Sequence, residues 1–233
     1  MEQKLSIVIP VYNEDHLISQ SLPAIFGLPI NKEIIIVDDG SSDNTPALLA
    51  EMQKSYSFSL LRQNINQGKG AAIRRGLETI SGDYFIIFDA DLEYDTQDVI
   101  KMWQSVKDIP PGKNALYGSR FLNKPKLSFH YLVNNFLTRL TNLLFNAHLT
   151  DMETCLKLIP ASALKDIALT CRRFEFEPEI TAQLLKAGYT ISETPIKYQR
   201  RSYAQGKKIN ARDGWEAIWS LIKEKLANHK KTG

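Results

Sequence analysis

Apolar and polar positions along the 233-residue chain alternate between two periods, and that alternation predicts the architecture. Short apolar runs rich in β-branched residues at 5–11, 33–37, 57–61, 84–88 and 115–117 predict strands. Helix-period segments at 15–26, 46–54, 71–80 and 97–107 separate them. The strands are nearly continuous apolar runs, which suits burial on both faces, and helical crossovers between them favour a mostly parallel sheet in an α/β fold. Turn chemistry agrees: Ser42, Asp43, Asn44 and Thr45 precede Pro46, as expected where proline sits in a first helical turn, and Thr96 with Asp98 opens the helix towards Trp103. Past Tyr117 the alternation fades into predicted helices at 129–146, at 176–187 closed by Gly188, and at 214–226, where Trp215, Ile218, Trp219, Ile222 and Leu226 recur at helical spacing. No internal repeat or low-complexity segment intervenes, so a single domain over 1–233 with a C-terminal helical elaboration is expected.

Composition narrows the class. With 43% apolar, 24% charged and 9% aromatic residues, the chain is neither disordered nor collagen-like. A net charge of +3 does not imply nucleic-acid binding. The distribution is more telling: residues 197–233 hold ten basic and three acidic residues, a net +7, which leaves −4 on residues 1–196. Cys155 and Cys171 form neither a disulfide framework nor a paired zinc spacing, which points to a reducing, cytoplasmic compartment, and His16, His130, His148 and His229 show no metal-ligand spacing. The N-terminal apolar stretch stops at Pro10 and reads as a first strand. The most apolar region, 127–150, contains Arg139 and the asparagines 134, 135, 142 and 146, short of the roughly 20 apolar residues that span a bilayer.

Ligands of open parallel sheets bind beyond the carboxyl ends of the strands. Three polar clusters fall at such ends: Pro10-Val11-Tyr12-Asn13-Glu14, Val37-Asp38-Asp39-Gly40-Ser41-Ser42-Asp43 and Asp89-Ala90-Asp91-Leu92-Glu93. Carboxylates crowded onto one rim repel each other unless a cation or hydrogen-bond donors compensate. Asp89 and Asp91 offer hard oxygens, and Mg²⁺ takes one or two carboxylates with water and phosphate oxygens, which favours a metal-bound diphosphate. Capping of turns and helices is the competing role for each carboxylate and suits Asp43 best. Gly68-Lys69-Gly70 invites a phosphate-loop reading, but Ile73 stands where a third glycine is needed and no Ser or Thr follows the lysine.

The ordered set PVYNE, VDDGSSD, NQGKGAAIRRG, DADLE, GSR, TDMETC, FEFEPEIT and RSYAQGKKI resembles the family 2 glycosyltransferases of GT-A fold, from residue 5 to about 214. Within them it is similar to the dolichol-phosphate mannosyltransferase-like and bacterial polyprenyl-phosphate glycosyltransferase branch. The resemblance implies a Rossmann-like, mostly parallel central sheet flanked by helices. It divides the chain into a nucleotide-sugar-binding half (about 1–120), an acceptor-side half (about 121–213) and an amphipathic helix with a basic tail (214–233). It also implies roles: Pro10, Tyr12, Glu14 and Asp39 for base and ribose, with Asp38 supporting that loop. Asp89, Ala90 and Asp91 match the nucleotide-sugar motif, and Asp89, Asp91 and Glu93 the Mg²⁺ or Mn²⁺ ligands. Glu93 stands where the mannosyltransferase group often has Gln, which keeps an oxygen ligand and adds a charge. Lys69 lies beside the donor, either neutralising a phosphate or serving the helix start, while Arg74 and Arg75 also suit exposed helix charges. Arg120, Arg201, Lys207 and Lys208 match anion-binding positions, and Gly206 suits a loop that closes over the donor.

Asp91, Arg120, Glu153 and Arg201 are accordingly the expected catalytic residues. The implied reaction is inverting, metal-dependent transfer of a hexose from a nucleotide diphosphate sugar, of GDP-mannose or UDP-glucose type, to polyprenyl (dolichyl or undecaprenyl) phosphate. A saccharide or other hydroxyl acceptor is the alternative and needs a general base, Glu153 or Asp151, whereas a phosphate acceptor is already anionic. A non-catalytic nucleotide-sugar-binding or membrane-associated partner is the reading of another class. Cys155 reads as a packed residue. The helices at 129–146 and 214–226 suit either core packing or peripheral contact with the cytoplasmic membrane face. No nucleic-acid partner is expected.

Overall fold

A computed structural model describes residues 2–122, 129–199 and 211–227. Its elements run β1 (Leu5–Val11), α1 (Ile18–Phe26), β2 (Lys32–Asp38), α2 (Thr45–Met52), β3 (Ser59–Arg62), α3 (Lys69–Leu77), β4 (Tyr84–Ile87), α4 (Thr96–Val106) and β5 (Asn114–Ser119). There follow α5 (Phe129–Phe145), β6 (Lys157–Pro160), a 3₁₀ turn (Ala161–Lys165), α6 (Phe176–Lys186), β7 (Thr190–Pro195) and α7 (Ala211–Leu226). Every strand and helix expected from the pattern is present, with ends moved by a few residues.

The seven strands form one sheet in the order β3-β2-β1-β4-β6-β5-β7. β1 pairs in parallel with β2 and β4, β2 with β3, and β5 with β7; β6 alone runs antiparallel, between β4 and β5. This is the mostly parallel α/β arrangement that the resemblance implied. The continuous runs in β1 and β4 are buried on both faces, as their composition required: Leu5, Ile7, Val8, Ile9, Phe85, Ile86 and Ile87 are fully enclosed. A second, smaller core lies between α5, α6 and α7, built from Leu137, Met152, Ala182, Ala217 and Leu221.

The pattern does not reveal β6 and β7. Four residues long, β6 opens on a lysine and closes on a proline, which locally reads as a turn. It holds because Lys157 is fully buried against Glu177 of α6, a partner twenty residues away. β7 is an edge strand, partly exposed along its length, and ends on Pro195. Caps also differ in detail. Asp95, not Thr96, caps α4 by accepting from the Gln97 N–H at 2.9 Å. α5 ends where Asn146 takes φ 53°, the left-handed conformation that asparagine tolerates.

Candidate active site

The carboxyl ends of β1, β2 and β4 lie side by side, since β1 is bracketed by the other two. The loops after β1 and β2 are laced together. Asn13 N donates to Ser41 Oγ at 2.9 Å, Ser42 N to Asn13 Oδ1 at 2.9 Å, and Glu14 N to Thr45 Oγ1 at 3.0 Å. Asp43 accepts from both Asp15 N and Thr45 N, the capping role its position suggested. This lacing leaves Pro10, Tyr12 and Glu14 half-buried at the rim.

Asp38 and Asp39, both buried, serve different structures. Asp38 accepts from Ser41 N at 2.9 Å and pairs with Arg62 at 3.2 Å, so it supports its own turn. Asp39 reaches across: Oδ1 accepts from Gln63 Nε2 and Gln67 N, and Oδ2 from Gly68 N at 2.8 Å. Burial raises the Asp39 pKa, with Asp38 adding to the effect and the two backbone donors opposing it. Its carboxylate thereby fixes the loop that leads into α3.

The glycines of that loop have a packing reason. Gly68 has φ 100°, and a Cβ there would lie 2.3 Å from the Arg172 carbonyl oxygen. Gly70 N donates to Arg173 O and Ala71 N to Arg172 O, each at 3.1 Å. The first turn of α3 is therefore capped by protein carbonyls, and these N–H groups are not a phosphate cradle. The 170–173 segment is itself held by α6, because Glu179 accepts from Thr170 N, Thr170 Oγ1 and Cys171 N, and Glu175 from Arg172 N. The acidic residues of FEFEPEIT thus build the platform that positions Lys69.

Lys69 Nζ lies 2.8 Å from Asp89 Oδ2 and 3.7 Å from Glu177 Oε1, and Glu177 in turn pairs with buried Lys157. Burial by itself would lower the Lys69 pKa, but Asp89 foremost, then Cys155 and Glu177, outweigh it and hold it well above the usual lysine range. Lys157 Nζ also lies 5.0 Å from the Tyr117 ring centroid. This chain from Asp89 to Lys157 brings in Glu177 and Lys157, neighbours of the candidate site that the sequence pattern does not single out. Arg74 reaches back towards the Leu169 carbonyl at 3.5 Å, and Arg75 pairs with Glu78 on the exposed face of α3.

A second chain of contacts starts at Asp91. Its Oδ1 accepts from Glu93 N at 3.0 Å, and Glu93 Oε2 accepts from Tyr198 OH at 2.6 Å. Gln199 N bonds Glu93 O at 2.9 Å, tying the residue before the 200–210 segment to the DADLE loop. Tyr198 packs on Tyr94 and stands under the Arg120 guanidinium, 5.1 Å from ring centroid to Cζ. Arg120 Nε and Nη2 grip the two oxygens of Asp151 at 2.7 Å each, and its backbone N–H adds a third bond at 2.9 Å. Asp151 is fully buried, and Glu193 of β7 holds Thr150 N and Asp151 N at 2.8 and 2.9 Å. Glu93, Tyr198, Arg120 and Asp151 form one continuous assembly in which Asp151 positions Arg120. Tyr198 and Glu193 gave no sequence signal, because their partners lie 105 and 42 or 43 residues away.

Glu153 stands between the two chains. Its Oε1 is buried without a hydrogen-bond partner, and the carboxyl is pushed up to about 7 by burial, with Glu177 and Asp151 adding to the rise and Lys157 and Arg120 opposing it. Cys155 is packed, as expected: burial pushes its thiol pKa far up, and Sγ lies 3.6 Å from Ile87 O. Ala90 is buried beneath the DADLE turn. Arg201, Gly206, Lys207 and Lys208 lie outside the described residues. Among the described residues, no group of three or more His, Cys, Asp and Glu converges as a protein-only metal site.

A polar rim at the carboxyl ends of three parallel strands, beside a guanidinium fixed by a buried carboxylate, defines the candidate site. Residues 6–168 match the Glycosyl transferase family 2 domain, and the chain belongs to that family of glycosyltransferases. It is 27% identical to the UDP-N-acetylglucosamine–dolichyl-phosphate N-acetylglucosaminyltransferase of Methanococcus voltae, over 97% of each chain. It is 34% identical to the dolichol-phosphate mannosyltransferase of Pyrococcus furiosus, over 53% of this chain and 35% of that one. Among solved structures, glucosyl-3-phosphoglycerate synthase from Mycobacterium tuberculosis, in complex with Mn²⁺, UDP and phosphoglyceric acid, superposes with TM-score 0.73. That match covers 98% of this chain and 80% of the synthase at 15% identity, a likeness of GT-A-type fold.

Proposed function

We propose that this glycosyltransferase moves a hexose, with inversion, from a nucleotide diphosphate sugar to a polyprenyl phosphate. The donor is of GDP-mannose or UDP-glucose type and lies along the rim of Pro10, Tyr12, Glu14, Asp38, Asp39, Lys69, Asp89, Ala90 and Asp91, completed by Lys207. The observation that carries the acceptor assignment is Arg120, a guanidinium locked by Asp151, stacked on Phe121 and Tyr198, and joined through Tyr198 and Glu93 to Asp91. Such a group suits a phosphate that arrives beside the donor diphosphate. The Methanococcus voltae relative, named for a dolichyl-phosphate acceptor, supports the same reading.

A divalent cation fits the rim. Mg²⁺ or Mn²⁺ needs one or two carboxylates when phosphate oxygens and water complete its shell, and the hard oxygens of Asp91 meet that need. Asp89 is paired with Lys69, and Glu93 is bonded to Tyr198, so both stand as supports as well as candidate ligands. When bound, the metal supplies charge neutralisation for the departing nucleotide diphosphate. The chain's own residues do the rest. Lys69 keeps the Asp89 carboxylate neutralised, Arg120 orients the acceptor phosphate, and Arg201 of the basic segment pairs with the leaving diphosphate. Positioning and fixed charge are the source of acceleration. Peripheral placement at the cytoplasmic membrane face belongs to this reading.

One observation favours a hydroxyl acceptor instead. Glu153 has an unpartnered buried oxygen and a carboxyl poised near neutrality, as a general base requires. Asp151 is not the base in that alternative, because both its oxygens are taken by Arg120. Incubation of a panel of nucleotide sugars with extracted lipid phosphates and with free saccharides, followed by mass spectrometry, separates the two. A polyprenyl phosphate sugar is the expected product; glycosylation of hydroxyl acceptors alone defeats the proposal.

A further inference from the structure

α7 turns Ala217, Leu221 and Glu224 inward and exposes its tryptophans. Glu224 is buried and accepts from Gln183 Nε2 at 3.1 Å and pairs with Lys186 at 3.4 Å, while Glu216 faces Arg173 at 4.0 Å. On the other side Trp215, Trp219 and Leu226 are 73, 68 and 76% exposed, in a single stripe with Ile222. Core packing uses only the inward face of α7 and leaves this second, outward apolar stripe unaccounted for. α5 repeats the arrangement, with Leu137, Thr138 and Thr141 inside and Leu132, Phe136 and Leu143 at 56, 56 and 82% exposure.

The two stripes are neighbours. Leu140 and Leu144 of α5 and Ile218 of α7 pack on one cluster, and Lys225 Nζ of α7 donates to Leu144 O at 2.6 Å. The face also reaches the site: Tyr131 in the second residue position after the α5 start packs edge-on against Phe121 at 5.0 Å, and Phe121 lies under Arg120. Exposed Lys223 and Lys225 flank the stripe, and Lys230 and Lys231 follow in the sequence.

We infer that the joint α5–α7 face docks on an anionic lipid bilayer, with Trp215, Trp219 and Phe136 seated at the headgroup–acyl boundary. Charge selects this occupant. Two copies meeting through the face bring lysines of the same sign together, whereas anionic headgroups complement them and the apolar stripe enters the interface. No helix among the described residues is long and apolar enough to cross the membrane. The inference rests on the lipid-phosphate reading and adds to it the surface through which the acceptor reaches Arg120.

Sedimentation with vesicles of phosphatidylcholine, with and without about 30 mol% phosphatidylglycerol, tests it. The intact protein is expected to sediment with the anionic vesicles, with a blue shift of tryptophan emission that arises from Trp215 and Trp219, since Trp103 is buried. W215S/W219S is expected to lower partitioning about tenfold or more with unchanged circular dichroism. Should that pair disturb folding, Lys223→Glu with Lys230→Glu tests the charge contribution separately. Absence of vesicle binding, binding indifferent to both variants, or a concentration-dependent dimer that the same substitutions dissociate in ultracentrifugation overturns the inference. A short-chain, water-soluble polyprenyl phosphate distinguishes the failures. Its glycosylation without vesicle binding sinks docking alone, whereas vesicle binding without its glycosylation sinks the acceptor reading alone.

Discussion

Glu153 shows how a single carboxyl couples stability to the chemistry of the site. Its pKa is raised from 4.5 to about 7 by burial above all. A raised carboxyl pKa means that the folded state holds its proton where the unfolded chain has lost it. The associated stability is present below pH 4.5 and is lost as pH rises through about 7. Allowing for partial exposure, the loss is about 2 kcal/mol. Glu153→Gln removes the ionisation, so the variant is expected to match the parent near pH 4.5 and to melt about 4 °C higher near pH 8. Parallel melting curves across that range disprove the assignment. The same variant divides the acceptor classes, since transfer to a phosphate needs no base and transfer to a hydroxyl does.

At the scale of elements, the N-terminus of α3 depends on a loop a hundred residues away. Arg172 and Arg173 carbonyls cap it, Glu179 of α6 holds their loop, and Gly68 permits the approach. Gly68→Ala places a methyl group in a left-handed position and against a backbone oxygen, so one of the two must move. A loss of about 2–3 kcal/mol in urea unfolding is expected, together with weaker donor binding because Lys69 opens α3. Wild-type stability with normal donor affinity contradicts the capping argument. α6 contributes twice, since Glu177 of the same helix also neutralises Lys157 and faces Lys69. Charged groups this well buried are strongly destabilising to break singly, by about 3–5 kcal/mol.

For the whole molecule, the two contact chains join the rim on β1, β2 and β4, proposed for the donor, to the side of β5, β6 and β7, proposed for the acceptor. A donor that binds only the folded state raises the melting temperature in proportion to the logarithm of its concentration over Kd. UDP- or GDP-sugar with Mn²⁺ is expected to raise it by several degrees, chelation to abolish the rise, and Asp91→Asn to remove most of it while leaving the ligand-free transition unchanged. A full rise in the presence of chelator refutes the metal assignment.

Much of this was legible along the chain, for reasons of range. Strands, crossovers and the three rim clusters are local patterns, because burial on both sheet faces and the position after a strand are written in adjacent residues. Ordered motifs were also sufficient to indicate the glycosyltransferase family, and Arg120, Asp151 and Glu153 were visible within them. What lay hidden were the partners. β6 escaped because the partners that stabilise its buried lysine, Glu177 foremost with the Tyr117 ring beside it, lie far along the chain, and Tyr198, Glu193 and Lys157 became neighbours of the candidate site only through contacts across the sheet. Sequence alone determined the seven helices, the first five strands and which carboxylates follow them at the rim. Tertiary structure alone decided which of those carboxylates are neutralised by a lysine or an arginine and which are hydrogen-bonded by a tyrosine, because such compensation depends on distance in space and not on distance along the chain.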